Sequence, residues 1–156
     1  MHIHILAVGQ KMPGWVTQAC DEFLKRMPRE LQLKTTEVAL IKRGKNSDIE
    51  RIKRDEGRKL LDAVPAGASI VVLDVGGKKL STQALAAKLD QWMAQGQDVA
   101  IIIGGPDGLS DEVLSVARQK ISLSELTFPH PLVRVILVEQ LYRAWTIINN
   151  HPYHRS

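Results

Sequence analysis

Two glycine turns and a polar tail carry the residues that could do chemistry. Gly76-Gly77 follows an apolar run at residues 69–75, and Gly104-Gly105-Pro106-Asp107-Gly108 follows the run Val99–Ile103. Glycine has no Cβ, so a ligand can lie against bare backbone and positive φ becomes accessible. Neither turn is a Gly-x-Gly-x-x-Gly opening a helix or a Gly-x-x-x-x-Gly-Lys-Ser/Thr loop, which disfavours a dinucleotide fold and a P-loop NTPase. No Gly-x-Ser-x-Gly elbow occurs, so α/β-hydrolase chemistry is disfavoured too. Glycine is common where strands turn into helices, and alone these turns name no ligand.

The chain closes on Asn149-Asn150-His151-Pro152-Tyr153-His154-Arg155-Ser156. Tyrosine, two histidines and an arginine this close together suit stacking, proton transfer and phosphate contact. The competing reading is an ordinary exposed polar terminus. His151 and His154 are too few to hold a metal ion from a tail. Cys20 is the one cysteine, which excludes a multi-cysteine metal site and an internal disulfide, so no metal is expected. His2 and His4 share one face of a strand and read as structural decoration. Glu139 and Arg143, four apart on a helix, form either an ordinary ion pair or a catalytic one.

The elements that must position these residues alternate strand with helix. His2–Val8 reads as a strand, Pro13 opens a helix over residues 14–26, and residues 31–41 alternate as a second strand. A basic turn, Lys42-Arg43-Gly44-Lys45-Asn46, leads into Ser47-x-x-Glu50, the spacing of a capping box. The helix that follows carries Ile49, Ile52, Leu60 and Leu61 inward. Residues 69–75 and Val99–Ile103 are nearly continuous apolar runs, as suits parallel strands covered on both faces. Gly76-Gly77 is expected to end the first of them. Ser81 caps a helix to about Gln95, another starts near Asp111, a short stretch follows at residues 121–128, and a last helix covers residues 132–150. The expectation is a single α/β domain over residues 1–156, a parallel-centred sheet with helices on both faces.

The last helix is apolar almost all the way round, from Leu132 through Val135, Ile136 and Leu141 to Ile148. A helix at a surface shows a stripe and a polar back; one apolar all round is buried on every side. A chain of 156 residues has little material to enclose it, so a homodimer through this helix is favoured over a central helix in a monomer. No run reaches the ~20 apolar residues of a membrane span, and no leader opens the chain, so a cytoplasmic protein without a membrane partner is expected. The formal charge is +4, and residues 42–59 alone carry eight basic and four acidic side chains. That patch either attracts a polyanion or is a solvated face stitched by ion pairs.

Taken in order, seven segments resemble the knotted SPOUT class of RNA methyltransferases. They are Lys42-Arg43-Gly44-Lys45-Asn46, Leu73-Asp74 with its glycine turn, Ile103-Gly104-Gly105-Pro106-Asp107-Gly108-Leu109-Ser110, Leu123-Ser124-x-Leu126-Thr127, Pro129-His130-Pro131-Leu132-Val133-Arg134, Glu139-Gln140-Leu141-Tyr142-Arg143-Ala144, and Asn150-His151-Pro152-Tyr153-His154-Arg155. Within the class, the set resembles the small enzymes that methylate N3 of a pseudouridine in 23S ribosomal RNA. Two departures are mild: Gly76 stands where proline is expected and Asp107 where glutamate is common. The resemblance implies a deep trefoil knot in the C-terminal half, against the general rule that chains avoid knots.

It also implies S-adenosyl-L-methionine (SAM) held by three loops. These are Leu73 and Gly77; Gly104, Gly105 and Gly108; and Leu123, Ser124, Glu125, Leu126, Thr127 and Phe128. His154, Arg155 and Tyr153, with Glu139 and Arg143, become the candidate catalytic residues, the tail reaching the neighbouring subunit's site. Lys42, Arg43 and Lys45 become the RNA contacts, and 23S rRNA in the ribosome the partner. The alternatives are a non-catalytic ribosome or RNA-binding factor, and a knotted methyltransferase acting on tRNA.

Overall fold

In the computed structural model, which describes residues 1–154, ten elements alternate along the chain. They are β1 (His2–Val8), α1 (Gly14–Leu24), β2 (Gln32–Val38), α2 (Ile49–Asp62), β3 (Ser69–Lys79), α3 (Thr82–Gln95), β4 (Val99–Ile103), α4 (Asp111–Val116), β5 (Gln119–Ser122) and α5 (His130–Ile148). The strands form one sheet in the order β2-β1-β4-β3-β5, and every pairing is parallel.

The alternation of side chains across each strand explains the layering. Val99, Ile101 and Ile103 of β4 point to one face with Ile3, Ile5 and Val71, where α1, α3 and α5 cover them through residues such as Leu89, Trp92, Leu137 and Leu141. Ala100 and Ile102 point the other way with Leu6 and Val72, onto Leu60 of α2 and Val113 of α4. A strand buried on both faces cannot alternate in polarity, which is why the β4 run is apolar throughout and buried at all five positions. Each buried aliphatic side chain contributes about 1.5–3 kcal/mol to the folded state.

Helix ends follow their local chemistry. Ser81 caps α3, its hydroxyl accepting from the Ala84 N–H, and Gly96 closes that helix in the left-handed conformation at φ +69°. At α2 the expected Ser47 box does not form. The cap is Asp48, whose carboxylate accepts from the Arg51 N–H at 3.2 Å, while the Ser47 hydroxyl turns back to accept from Gly44 N–H. Neighbouring Ser and Asp compete for one capping position, and the carboxylate gains from the positive end of the helix dipole.

Gly76-Gly77 does not end β3 either. Leu73 and Lys78 both lie opposite Ile121, so residues 74–77 bulge out of the ladder and the strand resumes after them. At Gly77 a Cβ would sit 2.8 Å from backbone atoms of Lys120 and Ile121, a crossing that only glycine permits.

His2 and His4 do serve structure, around Asp98. The His2 N–H donates to one carboxylate oxygen at 2.9 Å and the His4 ring lies 3.2 Å from the other. The backbone bond from His2, more than the two rings, holds the Asp98 carboxyl below its ordinary acidity range. A depressed carboxylate contributes stability above its unfolded pKa and loses it as pH falls through the folded value. The difference in urea midpoint between wild type and Asp98→Asn should therefore be open at neutral pH and close on acidification below about pH 4. A gap that does not change with pH would remove the charge from this account.

Candidate functional site

Parallel α/β sheets offer ligands the carboxyl ends of their strands, and a cavity of about 460 Å³ lies at the β3 bulge and beyond the ends of β4 and β5. The volume suits a drug-sized molecule. Three loops wall it, and they include Leu73 from the first, Gly104, Gly105 and Gly108 from the second, and Leu123, Ser124, Leu126, Thr127 and Phe128 from the third. Two further candidates stand off. Gly77 is spent on the crossing against β5, and Glu125 is exposed in an ion pair with Lys79.

The cavity also takes in residues not named as cofactor contacts from the sequence: Asp74, Val75, Ile103, Pro106, Asp107, Leu109, Ser122, His130 and Val133. Seven of the nine lie inside the quoted motifs and Val75 and Ser122 directly beside them, so membership of those segments is the signal that could have found them. His130 and Val133 come from the first turn of α5, which only the tertiary fold brings here.

Glycine shapes the second loop. Gly108 has φ +85°, and a Cβ on Gly104 would meet Gly108 and Leu109 at 2.9 Å. Val75 and Leu126 project at the rim with large exposed apolar surfaces. Asp74 lines the first loop, and its carboxylate accepts from the Gly76 N–H at 3.2 Å. Burial first, and the guanidinium of Arg134 second, press the His130 pKa below its usual value, so a neutral ring faces the cavity near pH 7. Arg134 itself is buried, ion-paired with Glu37 and donating to the Val8 and Gly9 carbonyls, which ties α5 to the end of β1.

The basic turn is anchored to this loop. Arg43 donates to buried Glu56 at 2.6 and 3.0 Å, to Asp107 at 3.0 Å and to the Ile41 carbonyl at 2.8 Å. Its guanidinium thus braces the turn against α2 and the glycine loop, while Lys42 and Lys45 remain exposed. Glu56, which sequence counting treats as one of the charges offsetting the patch, is 2% exposed. Replacing it with glutamine leaves Arg43 without its main counter-charge and should cost roughly 3 kcal/mol, read as a lower urea midpoint at unchanged slope. An unchanged midpoint would show the pair to be dispensable.

The remaining candidates gather at the other end of α5. Asn150, in the left-handed region at φ +53°, lets His151 N–H reach the Thr146 carbonyl at 2.9 Å and Asn150 N–H reach Ile147, a Schellman closure that turns the tail back along the helix. The Tyr153 ring then packs edge-on against Tyr142 at 4.8 Å, under the Arg143 guanidinium at 5.0 Å. Its hydroxyl donates to Glu139 at 3.1 Å, the same oxygen that receives Arg143 at 2.8 Å. Burial and the Glu139 charge push the Tyr153 phenol above its usual pKa, so it stays protonated. His154 rests 3.2 Å from the Thr146 hydroxyl. Arg155 lies outside the described residues.

Glu139, Arg143, Tyr153 and His154 therefore form one cluster, but not beside the cavity. Val133 lines the cavity, and Thr146 follows thirteen residues later on the same helix, roughly 20 Å along its axis. One side of α5 is buried against α1, α3 and the sheet, with Leu137, Leu141 and Ala144 fully covered. The other side, including Val135, Ile136 and Ile147, is only partly covered.

Among the described residues no group of side chains could hold a metal ion, and no helix is long and apolar enough to cross a membrane.

A family model described as predicted SPOUT methyltransferase matches residues 1–154. Among curated proteins, a ribosomal RNA large subunit methyltransferase H from Methylococcus capsulatus is 54% identical over 99% of this chain and all of its own length. Proteins of the same name from Hydrogenovibrio crunogenus and Hahella chejuensis are 50% and 52% identical, each over the whole of both chains. Among solved structures, a probable methylase family protein from Haemophilus influenzae aligns with TM-score 0.54 at 13% identity, over 99% of this chain and 70% of that one. A putative methylase family protein from Neisseria gonorrhoeae aligns with TM-score 0.51 at 12% identity, over 90% and 81%. At such identities the two structures speak to the fold alone.

Proposed function

The chain belongs to the SPOUT methyltransferase family, and on that premise we propose that it methylates N3 of a pseudouridine in 23S ribosomal RNA, using SAM, as a homodimer acting on the ribosome in the cytoplasm. The observation that carries this reading is the three-loop cavity at the strand ends, with the polar cluster about 20 Å away on the same helix. The end-to-end likeness to proteins named for large-subunit ribosomal RNA supports the substrate. The C-terminal trefoil knot belongs to the same reading, and the tight passage of Gly77 across Lys120 and Ile121 is consistent with it.

The lining fits the methyl donor. Leu73, Leu109, Leu123 and Phe128 offer apolar surface to a nucleoside and a methionine chain, and the glycine loop offers bare backbone. A neutral His130 spares a positively charged sulfur the repulsion an imidazolium would bring, and the Asp74 carboxylate favours it. When bound, SAM supplies an electrophilic methyl group.

The chain's own residues prepare the acceptor. The N3–H of pseudouridine is a weak acid, and a base must take its proton for the ring nitrogen to attack. Tyr153, held protonated by burial and Glu139, is a donor and not that base. His154 takes the proton, Arg155 meets phosphate or the developing oxyanion, and Glu139 with Arg143 fixes Tyr153 in place. Because the cluster is remote from its own cavity, a partner copy packed on the open side of α5 supplies it. Lys42 and Lys45 reach RNA phosphates on a turn braced by Arg43.

Incubating the protein with methyl-labelled SAM and 70S ribosomes, separated subunits or free RNA tests donor, acceptor and substrate form together. Label should appear in one methylated pseudouridine of large-subunit RNA on nucleoside mass mapping. Label in tRNA would move the substrate. No heat on titration with SAM would leave a non-catalytic RNA-binding factor instead.

A further inference from the structure

Thr146 is completely buried on α5 and yet carries a hydroxyl. That hydroxyl donates to the Arg143 carbonyl at 2.6 Å, and its oxygen lies 3.2 Å from Nδ1 of His154. A hydroxyl has a single proton to give. With that proton committed to a carbonyl, which can only accept, the oxygen is left as an acceptor toward the imidazole. Nδ1 must then be the donor and carry the hydrogen. A neutral imidazole protonated at Nδ1 has its lone pair on Nε2.

We propose that Thr146 is a positioning residue that locks neutral His154 in its Nδ1–H tautomer, so that Nε2 is the atom that accepts the substrate proton. This rests on the reading of His154 as proton acceptor given above. The bookkeeping closes simply. The N3–H bond breaks, its proton passes to Nε2, and the electron pair left on N3 forms the new bond to the methyl carbon as the carbon–sulfur bond breaks. The resulting imidazolium keeps its Nδ1–H bond to Thr146 throughout, so the hydroxyl need not reorient during the step. The Thr146 backbone serves the same end, since its carbonyl holds His151 N–H at 2.9 Å and so sets where the tail turns.

An imidazole's tautomer is read directly from its ring nitrogen shifts. In histidine-labelled protein at alkaline pH, the His154 signals, assigned by their loss in His154→Gln, should show a protonated Nδ1 and a bare Nε2. Thr146→Val keeps the shape and removes the hydroxyl, and should move the proton to Nε2. Turnover should then fall roughly 10- to 100-fold with the KM for SAM unchanged. Thr146→Ser retains the hydroxyl and should restore both the tautomer and turnover to within a few-fold.

A wild-type spectrum with the proton on Nε2, or one identical in Thr146→Val, overturns the assignment whatever the protein's activity. A tautomer that switches in Thr146→Val with turnover unaffected would instead overturn the reading of His154 as proton acceptor, and with it the catalytic role given to Thr146.

Discussion

Deleting residues 153–156 is expected to reduce methyl transfer by roughly 10²–10⁴-fold, the range that a positioned general base contributes, while SAM affinity stays within a few-fold. Two observations set this expectation. Among the described residues the three-loop cavity includes none beyond Val133, and the Tyr153–His154 cluster lies at the far end of α5. Loss of the tail should also cost little stability, because among the described residues its apolar packing comes from one ring, Tyr153, against Tyr142 and Phe23.

A mixed assembly sharpens the test. Gly104→Ala, whose Cβ would meet Gly108 and Leu109 at 2.9 Å, spoils the donor loop and leaves the tail intact. Neither altered chain should work alone. Assembled together at equal amounts they should recover about a quarter of wild-type activity, since half of randomly paired twofold dimers are mixed and each holds one complete site. No recovery would mean that each chain serves its own cavity. Full activity in the truncated protein would show the tail to be an ordinary exposed end.

The second large effect is expected at Gly77→Ala. The added methyl would lie 2.8 Å from backbone atoms of Lys120 and Ile121, which have no rotamer to yield. Overpacking against side chains costs about 1–3 kcal/mol, and a backbone contact belongs at or beyond the top of that range. Relief must come from parting β3 and β5 at the bulge, where Asp74 and Val75 project into the cavity. Thermal stability and SAM affinity should therefore fall together, the latter by more than tenfold.

Gly76→Ala is the control. Its Cβ meets only the Asp74 carboxylate at 3.2 Å, a side chain that can turn aside, and it should be nearly neutral. Equal losses at the two positions would point to the flexibility of the turn and not to the close crossing at Gly77.

What could be read in advance follows the range over which each force acts. The β4 run, the Ser81 cap and the apolar girth of α5 are local patterns, and each appears where the pattern places it. Glu56 was within reach too. It sits four residues after Ile52 and four before Leu60, on the buried side of α2, and a carboxylate at such a position requires a partner. The identity of that partner, Arg43, depends on how the basic turn folds over the helix, and the charge pattern does not show it.

The β3 bulge and the Gly77 crossing arise between segments more than forty residues apart, and no periodicity carries them. At the tail, Asn150 holds the left-handed turn that decides its course, but an asparagine beside His-Pro reads as readily as loop. Of the loop residues named by resemblance, Leu73 of the first loop, the three glycines of the second and five of six in the third line the cavity; the α5 contribution through His130 carried no assigned role.

The placement of β1 has a consequence for how the protein is made. Ile3 pairs with Val99, 96 positions further along the chain, and β4 is the strand that joins β1 to the rest of the sheet. At synthesis rates of about 5–20 residues per second, β1 waits roughly 5–20 seconds with only β2 beside it and its inner edge bare. During that interval Ile3, Ile5 and Ala7, all fully covered in the finished molecule, have neither β4 beside them nor α5 over them. The nascent N-terminal half is thus a sticky parallel pair, and the yield of soluble protein should depend on how quickly residues 99–103 emerge to close it.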